Sequence, residues 1–324
     1  MNEQLTLMAI VLGILHSGIR LATPYLFASL GETFDQRSGV LNLGVEGIML
    51  MGAFSGFYVV FETGNLWFGL LAAAVVGALM GLLMAVVSVT FQAEQGISGI
   101  GLFMLGLGLS SLLFKTTLGT VQGVDGFSEL QFCLSSLGIN SNFCLADIPI
   151  LGDLFFSYSI LTYLAFALVP ISRWVLNKTT WGLKIRAVGQ NPEAADSLGV
   201  SVNRMRYMAV ILGASLAGIA GASLSISLLN IFQENMTNGM GFIAVALVYF
   251  GGWSPVGVLI GSLLFSTVSS LQLWGQVLGT GFINLPSDVW VMLPYLLTII
   301  VLALPLRRAA QPAALTKPYE RGEN

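Results

Sequence analysis

The chain reads as a succession of long apolar runs broken by short polar ones. The apolar stretches are Leu5–Leu30, Gly39–Phe61, Leu66–Phe91, Ile97–Phe114, Phe156–Arg173, Tyr207–Phe232, Gly239–Pro255, Val256–Trp274 and Val289–Leu306. Most approach the roughly 17–25 residues that carry a helix across a bilayer. None shows the alternation, about ten residues long, of a membrane β-barrel strand. The pattern predicts an all-α integral membrane protein with about nine transmembrane helices. Ten is the alternative, if the stretch 5–30, which holds His16, Arg20 and Pro24, crosses twice. A short polar loop is expected over Gly31–Ser38, a long one over about 116–156 and a charged one over about 174–205. Residues 1–306 then form a single transmembrane domain and 307–324 a tail.

Composition agrees with the pattern. Hydrophobic residues make up 55% of the chain and charged ones 9%, against about 25% charged in a soluble domain. Mean hydropathy is +0.84. The 38 glycines suit close helix packing, because lipid supplies no hydrophobic drive between helices. The start, Met1-Asn2-Glu3-Gln4, lacks the basic region of a cleavable signal peptide.

Charge orients the spans. Arg173, Lys178, Lys184, Arg186, Arg204 and Arg206 cluster around 174–205, and Arg307, Arg308, Lys317 and Arg321 lie in the tail. Basic loops stay on the cytoplasmic side, so both regions and the C-terminus are expected there. Of 13 basic residues only Arg20 and Lys115 fall outside. Cys133 and Cys144 share the outer loop. An oxidising compartment permits a disulfide between them, the alternative being two unpaired thiols.

Placing Gly39 over Gly239 aligns Gly39–Gly52 with Gly239–Gly252. The charge pattern sends the two segments through the membrane in opposite senses, which is an inverted repeat. Such repeats put a substrate site near mid-membrane, on interrupted helices, and Gly251-Gly252-Trp253-Ser254-Pro255 is such an interruption. The alternative is chance similarity in an apolar, glycine-rich chain. Within the first segment, Asn42 and Glu46 are spaced to share a helical face. An ionisable group costs roughly 2.5 kcal/mol or more at the centre of a membrane helix, so Glu46 is expected to face protein or a water-filled cavity. Both residues either line a pathway or brace helices. Phe242, Tyr249 and Trp253 either offer rings to a planar solute or pack as interface anchors. His16 has no second ligand nearby and suggests no metal. Nothing resembles a proton relay, which disfavours ion-coupled transport.

The loop near 190 predicts a short helix: Asn191 as cap, Pro192 in the first turn, Glu193 near the positive dipole end and Gly199 as stop. The stretch Glu193-Ala194-Ala195-Asp196-Ser197-Leu198-Gly199 resembles the Glu-Ala-Ala coupling motif of bacterial ABC-importer permeases. Arg37-Ser-Gly-Val-Leu-Asn-Leu-Gly-Val-Glu-Gly47 and Gly241-Phe-Ile-Ala-Val-Ala246 with Trp253-Ser-Pro-Val-Gly-Val258 look like the branch handling branched-chain amino acids, simple sugars and nucleosides, with Asn-Leu-Gly-Val-Glu-Gly closest to the nucleoside and simple-sugar permeases.

The resemblance covers about residues 18–306. It implies a permease subunit of the bacterial inner membrane, working by alternating access beside a second, often non-identical permease. Its further partners would be a cytoplasmic ATP-binding subunit docked at Asn191–Ala195 and Gly199, and an extracytoplasmic binding protein. The chain carries no Gly-x-x-x-x-Gly-Lys-Ser/Thr phosphate loop, so ATP belongs to the partner and the chain is not expected to be an enzyme. No cofactor of its own and no nucleic-acid partner are expected. The implied cargo is a nucleoside, with a ribose- or galactose-type sugar or a branched-chain amino acid as alternatives. From another class, a secondary transporter or channel is the competing reading. It would have no need of the docking helix.

Overall fold

A computed structural model describes residues 2–131, 151–278, 286–303 and 311–320. The helices are α1 (Asn2–Arg37), α2 (Val45–Thr63), α3 (Leu66–Ala85), α4 (Gln95–Thr117), α5 (Leu151–Phe155), α6 (Ile160–Lys178), α7 (Thr180–Gln190), α8 (Pro192–Ser197), α9 (Val202–Ser223), α10 (Met240–Phe250), α11 (Pro255–Leu278) and α12 (Ser287–Ala303). Among the described residues, seven helices are long and apolar enough to cross a membrane. Two shorter apolar ones, Met240–Phe250 and Asp288–Ile300, occupy the seventh and ninth expected stretches. Strand β1 (Glu129–Gln131), in the expected outer loop, pairs antiparallel with β2 (Ser157–Ser159), which occupies the expected start of the fifth span. Cys133 and Cys144 lie outside the described residues.

Local chemistry sets the helix boundaries. Asn65 Oδ1 accepts from the backbone N–H groups of Trp67 and Phe68 and starts α3. The Glu94 carboxylate does the same for Gly96 and Ile97 at α4. One boundary differs from the sequence reading. The polar run Gly31–Ser38 is not a loop; up to Arg37 it is the last two turns of α1, and it is buried. Its side chains bond within the helix: Thr33 Oγ1 to Ser29 O at 2.7 Å, Gln36 Nε2 to Glu32 Oε1 at 2.9 Å. Pro24 does not interrupt α1, so 5–30 lies in one continuous helix.

The helices pack through small residues. Gly31 of α1 lies on Gly213 of α9, Gly52 of α2 on Gly218, and Gly218 in turn on Ala73 of α3, each so close that a side chain on the glycine would strike backbone. This makes α9 the central post of the bundle. Its far end widens into a turn of π-type geometry at Leu224–Leu228, as α3 does at Val86–Thr90.

Contact pairs fix the directions. On α1, Gly31 meets Gly213 while Arg20 Nη2 donates to Leu228 O, so α1 and α9 are antiparallel. Thr23 bonds Thr162 and Phe34 packs on Leu176, so α6 runs with α1. The ends of α1, α3 and α6, the starts of α4 and α9, and α7–α8 therefore share one face of the molecule. Arg37, Arg173, Lys178, Lys184, Arg186, Arg204 and Arg206 belong to it, and it is called the basic end below. Residues 311–320, expected as part of the tail, lie packed across this end.

Candidate functional site

The segments 39–52 and 239–252, aligned in the sequence, meet in the structure. Tyr25 packs with Leu247, and Gln36 reaches Trp253, so α10 runs with α1 and opposite to α2. The N-terminal ends of α2 and α10 face one another. Gly39 and Gly239 both take positive φ, +94° and +85°. An 11-residue helix is about 16 Å long, about half of a ~30 Å hydrocarbon core. The start of α10 therefore lies well inside the bundle.

Glu46 joins the two ends. It sits in the first turn of α2 and is 1% exposed. Its Oε1 accepts from Thr237 Oγ1 at 2.6 Å and from Gly239 N at 2.7 Å, and its Oε2 accepts from Gly241 N at 2.5 Å. All three partners donate, which suits a group that only accepts. Two of them are the first N–H groups of α10, where the helix dipole favours negative charge. The helix ends thus supply what the surrounding apolar interior does not.

The expectation that Asn42 and Glu46 share a helical face does not hold, because α2 begins at Val45. Asn42 lies in the preceding turn, fully buried, where Oδ1 accepts from Gly44 N at 3.0 Å. That turn is held from two sides: Glu32 Oε1 accepts from Asn42 N at 3.2 Å, and Gln95 Oε1 accepts from Leu41 N at 2.8 Å.

Beyond the start of α10, away from the basic end, lies a cavity of about 520 Å³. It is bounded by α1, the wide turn after α9, the start of α10, α11 and α12. Its polar wall includes Ser17, Arg20, Thr237, Asn238 and Gln272, and the rings of Tyr25 and Tyr295 also face it. Volume and lining match a small-molecule site, mostly apolar with a few convergent polar groups. Glu46 stands behind this wall and reaches it through Thr237.

The aromatic candidates lie elsewhere. Phe242 packs edge-on against Phe103 of α4, with ring centres 5.2 Å apart. Trp253 is buried; its Nε1 donates to Gln36 Oε1 at 2.7 Å, its carbonyl accepts from Arg37 Nε at 2.8 Å, and its ring meets Tyr249 edge-on. These two anchor the basic end of α10. Sequence reading missed Tyr25, Thr237, Asn238 and Tyr295. Thr237-Asn238 before Gly239 was the available signal, a polar pair opening an interrupted helix. The two tyrosines look in sequence like any lipid-facing aromatic.

At the basic end α8 forms as expected. Asn191 Oδ1 accepts from Ala194 N at 3.0 Å, Pro192 sits in the first turn, and Gly199 takes φ +81° after the last turn. Ala195 turns inward onto Val188 and Val202, while Glu193, Ala194 and Leu198 are exposed. Leu198 is 85% exposed.

The architecture is that of a helical membrane transport domain, with a solute-sized cavity inside and a presented helix at one end. Residues 14–302 match the family described as branched-chain amino acid transport system, permease component, and the chain belongs to that family. It is 38% identical to the guanosine ABC transporter permease protein NupQ of Bacillus subtilis, over 93% of this chain and 94% of that one. It is 36% identical to the nucleoside ABC transporter permease protein NupC of Lactococcus lactis, over 90% and 92%. It is 37% identical to TsgC13 of Haloferax volcanii, provisionally named a glucose ABC transporter permease protein, over 97% and 99%. No solved structure matches.

Proposed function

We propose that the chain is the permease subunit of an ATP-driven importer of nucleosides. The observation that carries this is the pairing of a 520 Å³ cavity with a capped, outward-facing α8 at the opposite end of the same bundle. An importer needs both: a compartment for solute and a handle for the subunit that hydrolyses ATP. The basic end faces the cytoplasm by the distribution of Arg and Lys, and the cavity then lies on the side from which a binding protein delivers cargo. Docking of the ATP-binding subunit uses Asn191, Pro192, Glu193, Ala194, Ala195 and Gly199. A second permease completes the pathway in the bacterial inner membrane.

Nucleoside is favoured over sugar by two relatives named for guanosine or nucleosides and by the tyrosine rings on the cavity wall, since stacking a base on an aromatic ring is worth about 1–3 kcal/mol. The second reading, a sugar, rests on TsgC13 and on the hydroxyl-matching groups Ser17, Asn238 and Gln272. Asn42, Glu46, Phe242, Tyr249 and Trp253 support the pathway from behind its wall.

The test is uptake of labelled guanosine in cells with and without this chain, its partner subunits present. Competition by unlabelled nucleosides alone supports the nucleoside reading. Competition by ribose or glucose supports the sugar reading. Glu193→Lys abolishes uptake if α8 is the docking site; uptake that persists without ATP would overturn the importer reading.

A further inference from the structure

Residues 311–320 lie across the basic end and bond to four segments that are distant in the sequence. Ala314 N donates to Gly189 O at the end of α7, at 2.9 Å, and Thr316 N donates to Gly39 O in the α1–α2 turn, at 3.1 Å. Lys317 O accepts from Arg206 Nη1 of α9 at 3.1 Å. Tyr319 O accepts from Gln92 Nε2, between α3 and α4, at 3.2 Å. The Tyr319 ring packs against Val188, Ala195 and Val202, the same small core that receives the one buried residue of α8.

Two of the contacts, at Gly189 and Gly39, are backbone to backbone, with no side chain between to yield. A side chain on Gly39 would meet Ala314 O at 3.1 Å, and one on Gly189 would strike Arg37 O. Thr316 is held at φ +65°, a conformation a β-branched residue keeps only where its surroundings impose it. The segment is therefore fixed in place rather than loosely draped.

From Gly39 the chain runs directly to the cavity. The turn Gly39–Gly44 leads into α2, whose first turn carries Glu46, and Glu46 holds Thr237 of the cavity wall. Contacts and short stretches of chain thus join Ala195 of α8 to Thr237: from the core that holds Ala195 to Tyr319, along the tail to Thr316, across to Gly39, and along the chain to Glu46. By itself α8 has six residues, too few to be a stable lever.

We propose that residues 312–319 are a coupling strap. They bind the docking helix to the α1–α2 turn, so that displacement of α8 moves the turn and, through Glu46, the cavity wall, instead of hinging α8 alone. Tyr319 and Ala314 are its positioning residues. The inference rests on the reading of α8 as the docking site for the ATP-binding subunit.

Spatial adjacency alone does not demonstrate coupling, so the test measures it. The assembled transporter is reconstituted with its ATP-binding and solute-binding subunits. ATP hydrolysis and uptake of labelled guanosine or glucose, whichever the unaltered protein carries, are recorded together. Tyr319→Ala and a chain ending at residue 311 are expected to assemble and hydrolyse ATP while solute moved per ATP falls about fivefold or more, the lower edge of ordinary coupling free energies. Tyr319→Phe, which keeps the ring against the core of Val188, Ala195 and Val202, is expected to retain more of the ratio than Tyr319→Ala. Ala314→Pro, which removes the N–H given to Gly189, lowers the ratio without touching α8 and keeps the test open if the shortened chain fails to assemble. Solute moved per ATP within twofold of the unaltered protein in both Tyr319→Ala and Ala314→Pro would overturn the strap. Glu193→Lys is measured alongside. If it leaves hydrolysis and uptake unchanged, the docking reading fails and the strap with it. If it abolishes uptake while the tail variants keep a normal ratio, only the strap fails.

Discussion

Replacing Glu46 tests whether a carboxylate joins the two helix ends. The carboxylate takes three hydrogen bonds, from Thr237 Oγ1, Gly239 N and Gly241 N. In Glu46→Gln the amide oxygen can keep the first two, and the NH₂ group then faces the N–H of Gly241. One bond to a charged group, worth about 1.5–3 kcal/mol, is lost. The other two change from charge-assisted to neutral and keep about half their strength, and the helix-end attraction for negative charge, about 0.3–1 kcal/mol, goes as well. Against this, an amide needs no buried charge, which returns about 2.5–3.5 kcal/mol. The losses come to roughly 3–7 kcal/mol, so a net destabilisation of about 2 kcal/mol remains for Gln. Glu46→Ala removes the same buried charge but replaces none of the hydrogen bonds. It leaves three buried donors unpaired, at about 1–3 kcal/mol each, and opens a void.

The ordering follows: unaltered protein most stable, Gln slightly less, Ala far less. Thermal unfolding of the purified subunit in detergent measures it. Uptake kinetics should follow the same order, with KM rising because Thr237 loses its support on the cavity wall. A Glu46→Ala protein as stable as the unaltered one, with the same KM, would refute the claim that this carboxylate holds the two helix ends together.

Three further outcomes are expected. Gly241→Ala places a methyl group 2.5 Å from both N and Cα of Glu46, where neither backbone can yield, so the amount of folded protein in the membrane should collapse; quantitative blotting of membranes with a fluorescent fusion checks this. Asn65→Ala and Asn191→Ala remove the same kind of helix cap, each worth about 0.5–2 kcal/mol, yet only Asn191→Ala should lower solute moved per ATP, because only that cap orders α8, the proposed docking helix. Tyr295→Ala removes an exposed ring from the cavity wall and should raise the KM for guanosine about fivefold to a hundredfold by loss of roughly 1–3 kcal/mol of stacking, with subunit assembly unchanged by co-purification.

The sequence shows most of the fold because lipid imposes simple rules. Long apolar runs become helices, and the Gly251–Pro255 interruption appears where the pattern breaks. The short helix α8 is legible to the residue, since Asn191, Pro192 and Gly199 each act through local backbone chemistry that needs no tertiary context. The end of α1 is misread because polarity there signals not solvent but a partner. Glu32, Gln36 and Thr33 are buried, and their oxygens and amides serve neighbouring backbone and Trp253. Polarity and loop coincide only when water is the sole available partner. The cavity is the least legible feature. Tyr25, Thr237 and Tyr295 come from three separated stretches, and only the antiparallel packing of α1 on α9 and α11 brings them to one space.

The buried polar groups also explain why the central glycine-rich stretch carries a carboxylate at all. Two helices that start inside a bundle present their unpaired N–H groups to each other, and each such group left bare in hydrocarbon is costly. Water could satisfy them but would loosen the junction. A second helix would bury the donors without pairing them. One carboxylate supplies up to four acceptor sites at a single point, and both helix dipoles favour it. The same requirement dictates glycine at 241, since only a bare Cα lets α10 approach the Glu46 backbone closely enough for the carboxylate to reach N–H 239 and N–H 241 together. Glu46 and Gly241 are therefore one device read from two sides. Gly241→Ala and Glu46→Ala should not add: the double variant is expected to be no worse than the more severe single one, because either change alone already separates the helix ends. Full additivity in a double-mutant cycle would show that the two residues act independently.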